Sequence, residues 1–507
     1  MKKSGFFFNK NTKFSSQQRK GFLLIFGSEF VSRFCFWGLQ AVLVLFLLKN
    51  LHFSATEAYA IYGAFTALAF MASILGGLLA DKILGSGKCV YIGMLLILIG
   101  NILLYLSSIA WFYFGLSFVL LGMGLVTPNN PSLLGNFYTP NDAGRDSGFT
   151  LFYIATNMGG ILGPVVCGIA TQSLGWYSPF AICALILSIW IVFYHFLHFE
   201  LSKKINAKKV RLFFEREEKP YSKYKIIFFL LAIITFAAII IRFNYYLSFL
   251  LLLAGIGTIL GFLKLANSLD KKQRNYSFIL LLMIIFCLAF FAYEFQVNNS
   301  LLVFYDSYVN KSIFRLHIPA STLAALEPIF VVLFAPILTY LWNALSAKKK
   351  APTTLIKISY GFIFACCGFY IFSLAAKQVL VQQSQINIGW ILIGNAMLSI
   401  GDLLIMPSVI AAITKWSPDK IKGTMMGFLY LALAFSGYFS GILATLTTLQ
   451  LSKSDKVYSI IYNYIHIYGF IAYISLLTAI ISFTFAYFLR YYMHSNLDEN
   501  PLNAKVK

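Results

Sequence analysis

The chain has 507 residues, 59% of them hydrophobic and only 11% charged, with a mean hydropathy of +0.77. Soluble globular chains are about one quarter charged, so water is excluded as the main solvent. The backbone must therefore satisfy its own polar groups, as helices or closed barrels do. A net charge of +22 would suggest nucleic acid in a soluble protein, but here Lys and Arg gather in short loops between apolar runs, where they set membrane topology.

Residues 1–20 form a basic tail (Lys2, Lys3, Lys10, Lys13, Arg19, Lys20) with no acid, which places it in the cytoplasm. The tail is too long, and the first apolar run too extended, for a cleavable signal peptide. Apolar runs of spanning length, about 20 residues, follow near 21–48, 55–80, 88–107, 109–135, 147–172 and 177–198. They show no period-two alternation, so they read as helices. A basic stretch from Ser202 to Lys225 is too charged to cross a membrane. Two further spans, near 226–241 and 246–266, contain no acid and end at Lys271, Lys272 and Arg274. Six more runs lie near 276–304, 319–345, 354–376, 386–413, 423–447 and 459–490.

The basic loops (82–88, 203–225, 271–274, 348–350 and 415–422) fall on one side without conflict, so both termini are expected in the cytoplasm. The pattern predicts an all-α integral membrane protein with two six-helix bundles and two inserted helices, fourteen spans in all. Its parts are a tail at 1–20, an N-terminal bundle at 21–199, a linker with a helical hairpin at 200–275, a C-terminal bundle at 276–493 and a second tail at 494–507. Transporters built from two such repeats bind substrate near the bilayer midplane, between the bundles.

Charges inside spans are rare, since each costs at least about 2.5 kcal/mol on insertion scales. Glu29 and Arg33 lie four residues apart, on one helix face. Glu294, Glu327 and Asp402 are the other deep groups. Four acids against one base leave minus three if all are charged, so one or more should hold a proton. A carboxyl loaded on one side and unloaded on the other is what proton symport requires. The bland alternative is a structural ion pair with acids near helix ends.

The seven cysteines lie mostly inside apolar runs and lack metal-ligand spacing. His52, His195, His198, His317, His466 and His494 form no HExxH pattern, and no GxxxxGK(S/T) loop is present. These absences argue against an enzyme and against bound nucleotide, leaving an ion gradient as the energy source, with sodium open beside protons. No cofactor and no metal are expected.

Several segments together resemble the proton-dependent oligopeptide transporters of the major facilitator superfamily. Glu29 to Gly38, EFVSRFCFWG, resembles the first-helix pattern ExxERFxYYG, with Ser32 in place of the second glutamate and Phe36 and Trp37 in place of the tyrosines. Gly76 to Lys82 with Leu84, Gly85 and Lys88 resembles the family's cytoplasmic GGxxAD(R/K)xLG loop. Asp146-Ser147-Gly148-Phe149-Thr150, Phe152-Tyr153 and Asn157-Met158-Gly159 are similar to DSGFTxFYxxxNxG. Gln296, Ser300, Pro319, Ser321, Pro328, Pro336 and Trp342 follow in order, then Gly401-Asp402-Leu403 to Pro407 and Thr414 to Pro418.

The resemblance implies proton-coupled uptake of di- or tripeptides through a bacterial inner membrane by a monomeric, multi-pass protein. Its partners would be a short peptide or other small solute, protons and lipid. It implies substrate contacts from Arg33, Asn157, Asp402, Glu327, Trp37 and Gln296, proton coupling by Glu29, Glu294 and Asp402, and cytoplasmic gating by Asp81 and Lys82. Several pocket positions depart from the pattern. Thr127 stands for a lysine, Glu327 for an asparagine, and Phe70 and Leu429 for a tyrosine and a tryptophan. Glu294 precedes the expected acidic position by one residue, an offset of about 100 degrees on a helix. The result is a pocket with one cationic anchor and added acid. It leaves a second reading, transport of another small amine-containing solute, and a third, a receptor or scaffold that transports nothing.

Overall fold

The computed structural model describes residues 16–106, 108–136, 145–204, 223–313, 316–348, 350–418, 421–448 and 456–496. The expected tails outside 16–496 and most of the basic linker, 205–222, lie outside the described residues.

Among the described residues, fourteen helices are long and apolar enough to cross a membrane. In order they are Gly21–Lys49, Ala55–Leu84, Ser86–Tyr105, Ile109–Gly135, Ser147–Leu174, Ser178–Leu197, Tyr224–Arg242, Tyr245–Asn267, Lys271–Tyr308, Ala320–Ala347, Thr354–Gln382, Gly389–Trp416, Lys422–Leu446 and Tyr458–Phe488. Four two-residue strands are the other regular elements, with Val309–Asn310 pairing in parallel with Ile386–Asn387.

By internal contacts the chain divides into two compact units, Met1–Leu251 with Leu316–Ala325, and Leu252–Arg315 with Leu326–Lys507. The inserted pair is shared out between them. Its first helix packs on the second and fourth spans. Its second helix buries Phe262 against Phe278 and Phe428 in the other unit, with ring centroids 5.0 and 6.2 Å apart. Apolar side chains such as Phe228, Phe249 and Leu260 remain exposed on this pair, as lipid-facing residues must.

Close helix approach in this fold depends on small residues, because lipid tails supply no hydrophobic drive between helices. In the first unit a Cβ on Gly163 would lie 2.4 Å from the Phe34 carbonyl oxygen, so the fifth span runs backbone to backbone along the first. In the second unit a Cβ on Gly401 would lie 3.0 Å from the Gly361 oxygen and 2.9 Å from the Phe290 ring. That crossing holds the twelfth span against the eleventh and ninth.

Four spans are not continuous α-helices. The second ends in a π-helical turn, Ala80–Leu84. The fourth pauses at Thr127 and Pro128 between Ile109–Val126 and Asn129–Asn136. The ninth ends its first helix at Glu294, passes through a 3-10 turn at Phe295–Asn298 and restarts at Ser300. The tenth begins as a 3-10 turn, Ala320–Ala325, and becomes α-helical at Leu326. Pro328 sits in that first α turn, where its missing N–H costs little.

Candidate functional site

The structure gathers the deep charges into two groups, one in each unit. In the first unit the spacing of Glu29 and Arg33 produces the bond it promises: Arg33 Nε donates to Glu29 Oε1 at 2.7 Å. Glu29 is fully buried, while the Arg33 side chain stays 19% exposed. Two further donors close on the same carboxylate, Asn130 Nδ2 to Oε2 at 2.9 Å and Thr156 Oγ1 to Oε1 at 3.0 Å. Ser32, at the expected second glutamate, donates its hydroxyl to the Glu29 carbonyl at 3.0 Å.

Asn130 and Thr156 were not among the candidates read from the sequence. Asn130 reaches Glu29 from the start of the helix Asn129–Asn136, which follows the interruption of the fourth span at Thr127 and Pro128. The adjacent amides Asn129 and Asn130, set in an otherwise apolar run, were the available signal. Thr156 arrives through the close pairing of the fifth span with the first, where Gly159 and Gly163 face the Phe30 and Phe34 backbone. The expected lysine is thus replaced in effect by neutral donors around one acid and one base.

The other candidates in this unit lie apart from that bond. Asn157 donates to its own helix, to the Tyr153 carbonyl at 2.8 Å. Trp37 packs edge-on against Phe36 with centroids 5.7 Å apart. Asp81 and Lys82 are exposed in a π-helical turn, Ala80–Leu84, at the end of the second span.

The second unit brings together Glu294, Glu327 and Asp402, with one carboxylate oxygen from each within 4.8 Å of the others. The one-residue offset at Glu294, the last residue of its helix, does not separate it from the other two acids. Glu327 sits in the first α turn of the tenth span. Asp402 follows Gly401, whose bare Cα permits the crossing with Phe290 and Gly361. Ser399 Oγ donates to the Glu327 carbonyl at 3.3 Å and ties the tenth span to the twelfth.

Charge in this group is unbalanced. Among the described residues no Lys, Arg or His pairs with the three acids. Glu294 is 4% exposed, and its buried Oε2 has no hydrogen-bond partner, whereas Glu327 and Asp402 are partly accessible. Three full charges at such spacing would repel by about 3 kcal/mol per pair at an effective dielectric near 20. The cluster is therefore built to take up positive charge: protons, an ammonium group, or a hard metal ion, for which three oxygens also serve.

Gln296, expected to touch substrate, is buried beside this cluster and committed elsewhere. Its Nε2 donates to the Ser440 carbonyl at 2.9 Å and Oγ at 3.1 Å, and its Oε1 accepts from Ser300 Oγ at 2.6 Å. These bonds stitch the break in the ninth span to the thirteenth.

Two six-helix bundles with an inserted pair, interrupted helices and two groups of charges set deep within the spans define a multi-pass transporter of the major facilitator fold. The profile of the POT family matches residues 87–461, and the chain belongs to that family. It is 26% identical over 441 residues to the peptide transporter YePEPT of Yersinia enterocolitica, covering 83% of this chain and 86% of that one. It is equally 26% identical over 455 residues to dipeptide and tripeptide permease A of Serratia proteamaculans, covering 89% and 88%. The fold matches a crystal structure of peptide transporter POT in complex with sulfate at a TM-score of 0.80 and 24% identity, covering 92% of this chain and 94% of that one.

Proposed function

We propose that this protein is a proton-coupled symporter that takes up di- and tripeptides by alternating access across a bacterial inner membrane. The observation that carries this reading is the pairing, within a POT-family chain, of a positioned, partly exposed guanidinium with a separate group of three unbalanced carboxylates. Arg33 binds the substrate carboxylate, for which a guanidinium offers a planar fork. Glu29, held by three donors, orients Arg33 and is a positioning residue in this reading, not a proton carrier. Glu294 and Asp402 carry the coupling proton, and Asp402 with Glu327 meets the substrate ammonium. Asn157 and Trp37 line the substrate path, Gln296 braces the broken ninth span, and Asp81 with Lys82 gates the cytoplasmic end. The basic loops support cytoplasmic termini, and the energy comes from the proton gradient, without a cofactor or catalysis by the chain.

A second reading, transport of another small amine-containing solute, draws on the same three acids, which recognise an ammonium without requiring a peptide bond. Uptake of labelled Ala-Ala into proteoliposomes under an imposed proton gradient separates the two. Gradient-dependent accumulation supports the peptide reading, and accumulation of a free amine without any dipeptide uptake overturns it. A protein that accumulates neither is a receptor or scaffold.

A further inference from the structure

The proposed function does not account for why there are three acids where an ammonium and a proton need fewer. A primary ammonium donating three N–H bonds of about 2.9 Å at tetrahedral angles places its acceptors about 4.7 Å apart. The three carboxylate oxygens lie within 4.8 Å of one another, so one –NH3+ group fits among all three. Glu294 Oε2, buried and without a partner, is an acceptor that lacks its donor, and an ammonium supplies one. A single ammonium together with one coupling proton still leaves one negative charge, and no Lys, Arg or His among the described residues pairs with it.

From this geometry we infer that the Glu294–Glu327–Asp402 cluster selects cationic substrates, peptides carrying a second ammonium group such as a lysine side chain, and that Glu327 determines the preference. This rests on the symport reading above. Glu294 and Asp402 sit at the end of the ninth span's first helix and beside the Gly401 crossing. Glu327 adds the third charge from the first α turn of the tenth span. With it in place, a neutral peptide and one proton leave one negative charge at the cluster, which the second ammonium of a lysyl peptide balances, and an acidic peptide adds repulsion.

The test is uptake of Lys-Ala, Ala-Ala and Ala-Glu by proteoliposomes under one imposed proton gradient, each read as kcat/KM. Wild type should favour Lys-Ala over Ala-Ala by about tenfold, with the difference in KM, and disfavour Ala-Glu. In Glu327→Gln the Lys-Ala to Ala-Ala ratio should fall to within about threefold, and Glu327→Asp should restore most of it. A structural role for Glu327 would lower all three rates together and leave the ratio alone, which overturns the inference. Equal uptake of the three peptides by wild type also overturns it while leaving peptide symport standing. Accumulation of a diamine such as putrescine without any peptide uptake supports the cationic selection and overturns the peptide reading. Inhibition of every substrate by millimolar Ca2+ or Mn2+ in wild type, relieved in Glu327→Gln, would assign the cluster to a metal ion and overturn the ammonium assignment. Should Glu327→Gln not transport, Lys-Ala and Ala-Ala dissociation constants measured on the detergent-purified variant give the same ratio.

Discussion

The two charged groups of this transporter are opposites in how they are satisfied. In the first unit one acid meets one base and two neutral donors, and the Glu29 carboxylate has all the partners it can usefully hold. In the second unit three acids meet with no described base; each group leaves one buried oxygen without a partner, the neutral amide Asn130 Oδ1 in the first and the carboxylate Glu294 Oε2 in the second. A closed network fixes geometry, and an open one invites exchange. In the proposed function this contrast corresponds to positioning and carboxylate recognition at the first group, and to uptake of a proton or a substrate ammonium at the second.

Perturbing the closed network should break this contrast most severely at Arg33. Removing one member of a buried, hydrogen-bonded charge pair costs about 2–5 kcal/mol, so Arg33→Ala should lower kcat/KM for Ala-Ala by about 30-fold or more. Arg33→Lys, which keeps the charge but loses the fork, should recover only part of it. If Arg33→Ala transports normally, the guanidinium is no substrate anchor.

The crossings that create each group come next. Gly163→Val drives a side chain at the Phe34 carbonyl, and Gly401→Val drives one at Gly361 and Phe290. Overpacking of this kind costs about 1–3 kcal/mol, visible as a lower midpoint of thermal unfolding in detergent. Gly163→Val should also weaken substrate affinity, whereas Gly401→Val should impair gradient-driven accumulation first. An identical functional profile for the two would blur the division of labour between the units.

The smallest effects belong to the neutral donors. Asn130→Ala leaves one Glu29 oxygen without its donor, at a cost of about 1–3 kcal/mol, and should raise KM by up to about tenfold. Thr156→Val should do less, because Oε1 keeps its bond from Arg33. A larger defect in Thr156→Val than in Asn130→Ala would mean the hydroxyl serves something besides Glu29.

Much of the fold was legible because membrane spans announce themselves by length and hydropathy, and the observed helices begin and end within a few residues of the runs in the sequence. The Glu29–Arg33 bond was legible too, since four residues on a helix is a local relation. Convergence across the chain was not. Asn130 and Thr156 stand 101 and 127 residues from Glu29, and they meet it only through a proline-interrupted helix and a glycine-lined crossing. At Glu294 the one-residue offset suggested a different facing, yet the acid meets Glu327 and Asp402, a convergence of three spans that no local spacing shows. Gln296 was expected to touch substrate because the family resemblance implied it, while its side chain bonds Ser440 and Ser300 at the break in the ninth span. The inserted pair was legible as two spans, but that its two helices pack on different units was not.

The most direct test of the unbalanced acids as the coupling site is substrate-induced proton entry, followed with a lumenal pH dye in proteoliposomes given Ala-Ala. Wild type should acidify the lumen as the dipeptide enters, and the double variant Glu294→Gln with Asp402→Asn should lose both acidification and uphill accumulation. It should retain exchange of internal for external dipeptide. Uphill accumulation by that double variant, with proton entry equal to wild type, would contradict the assignment.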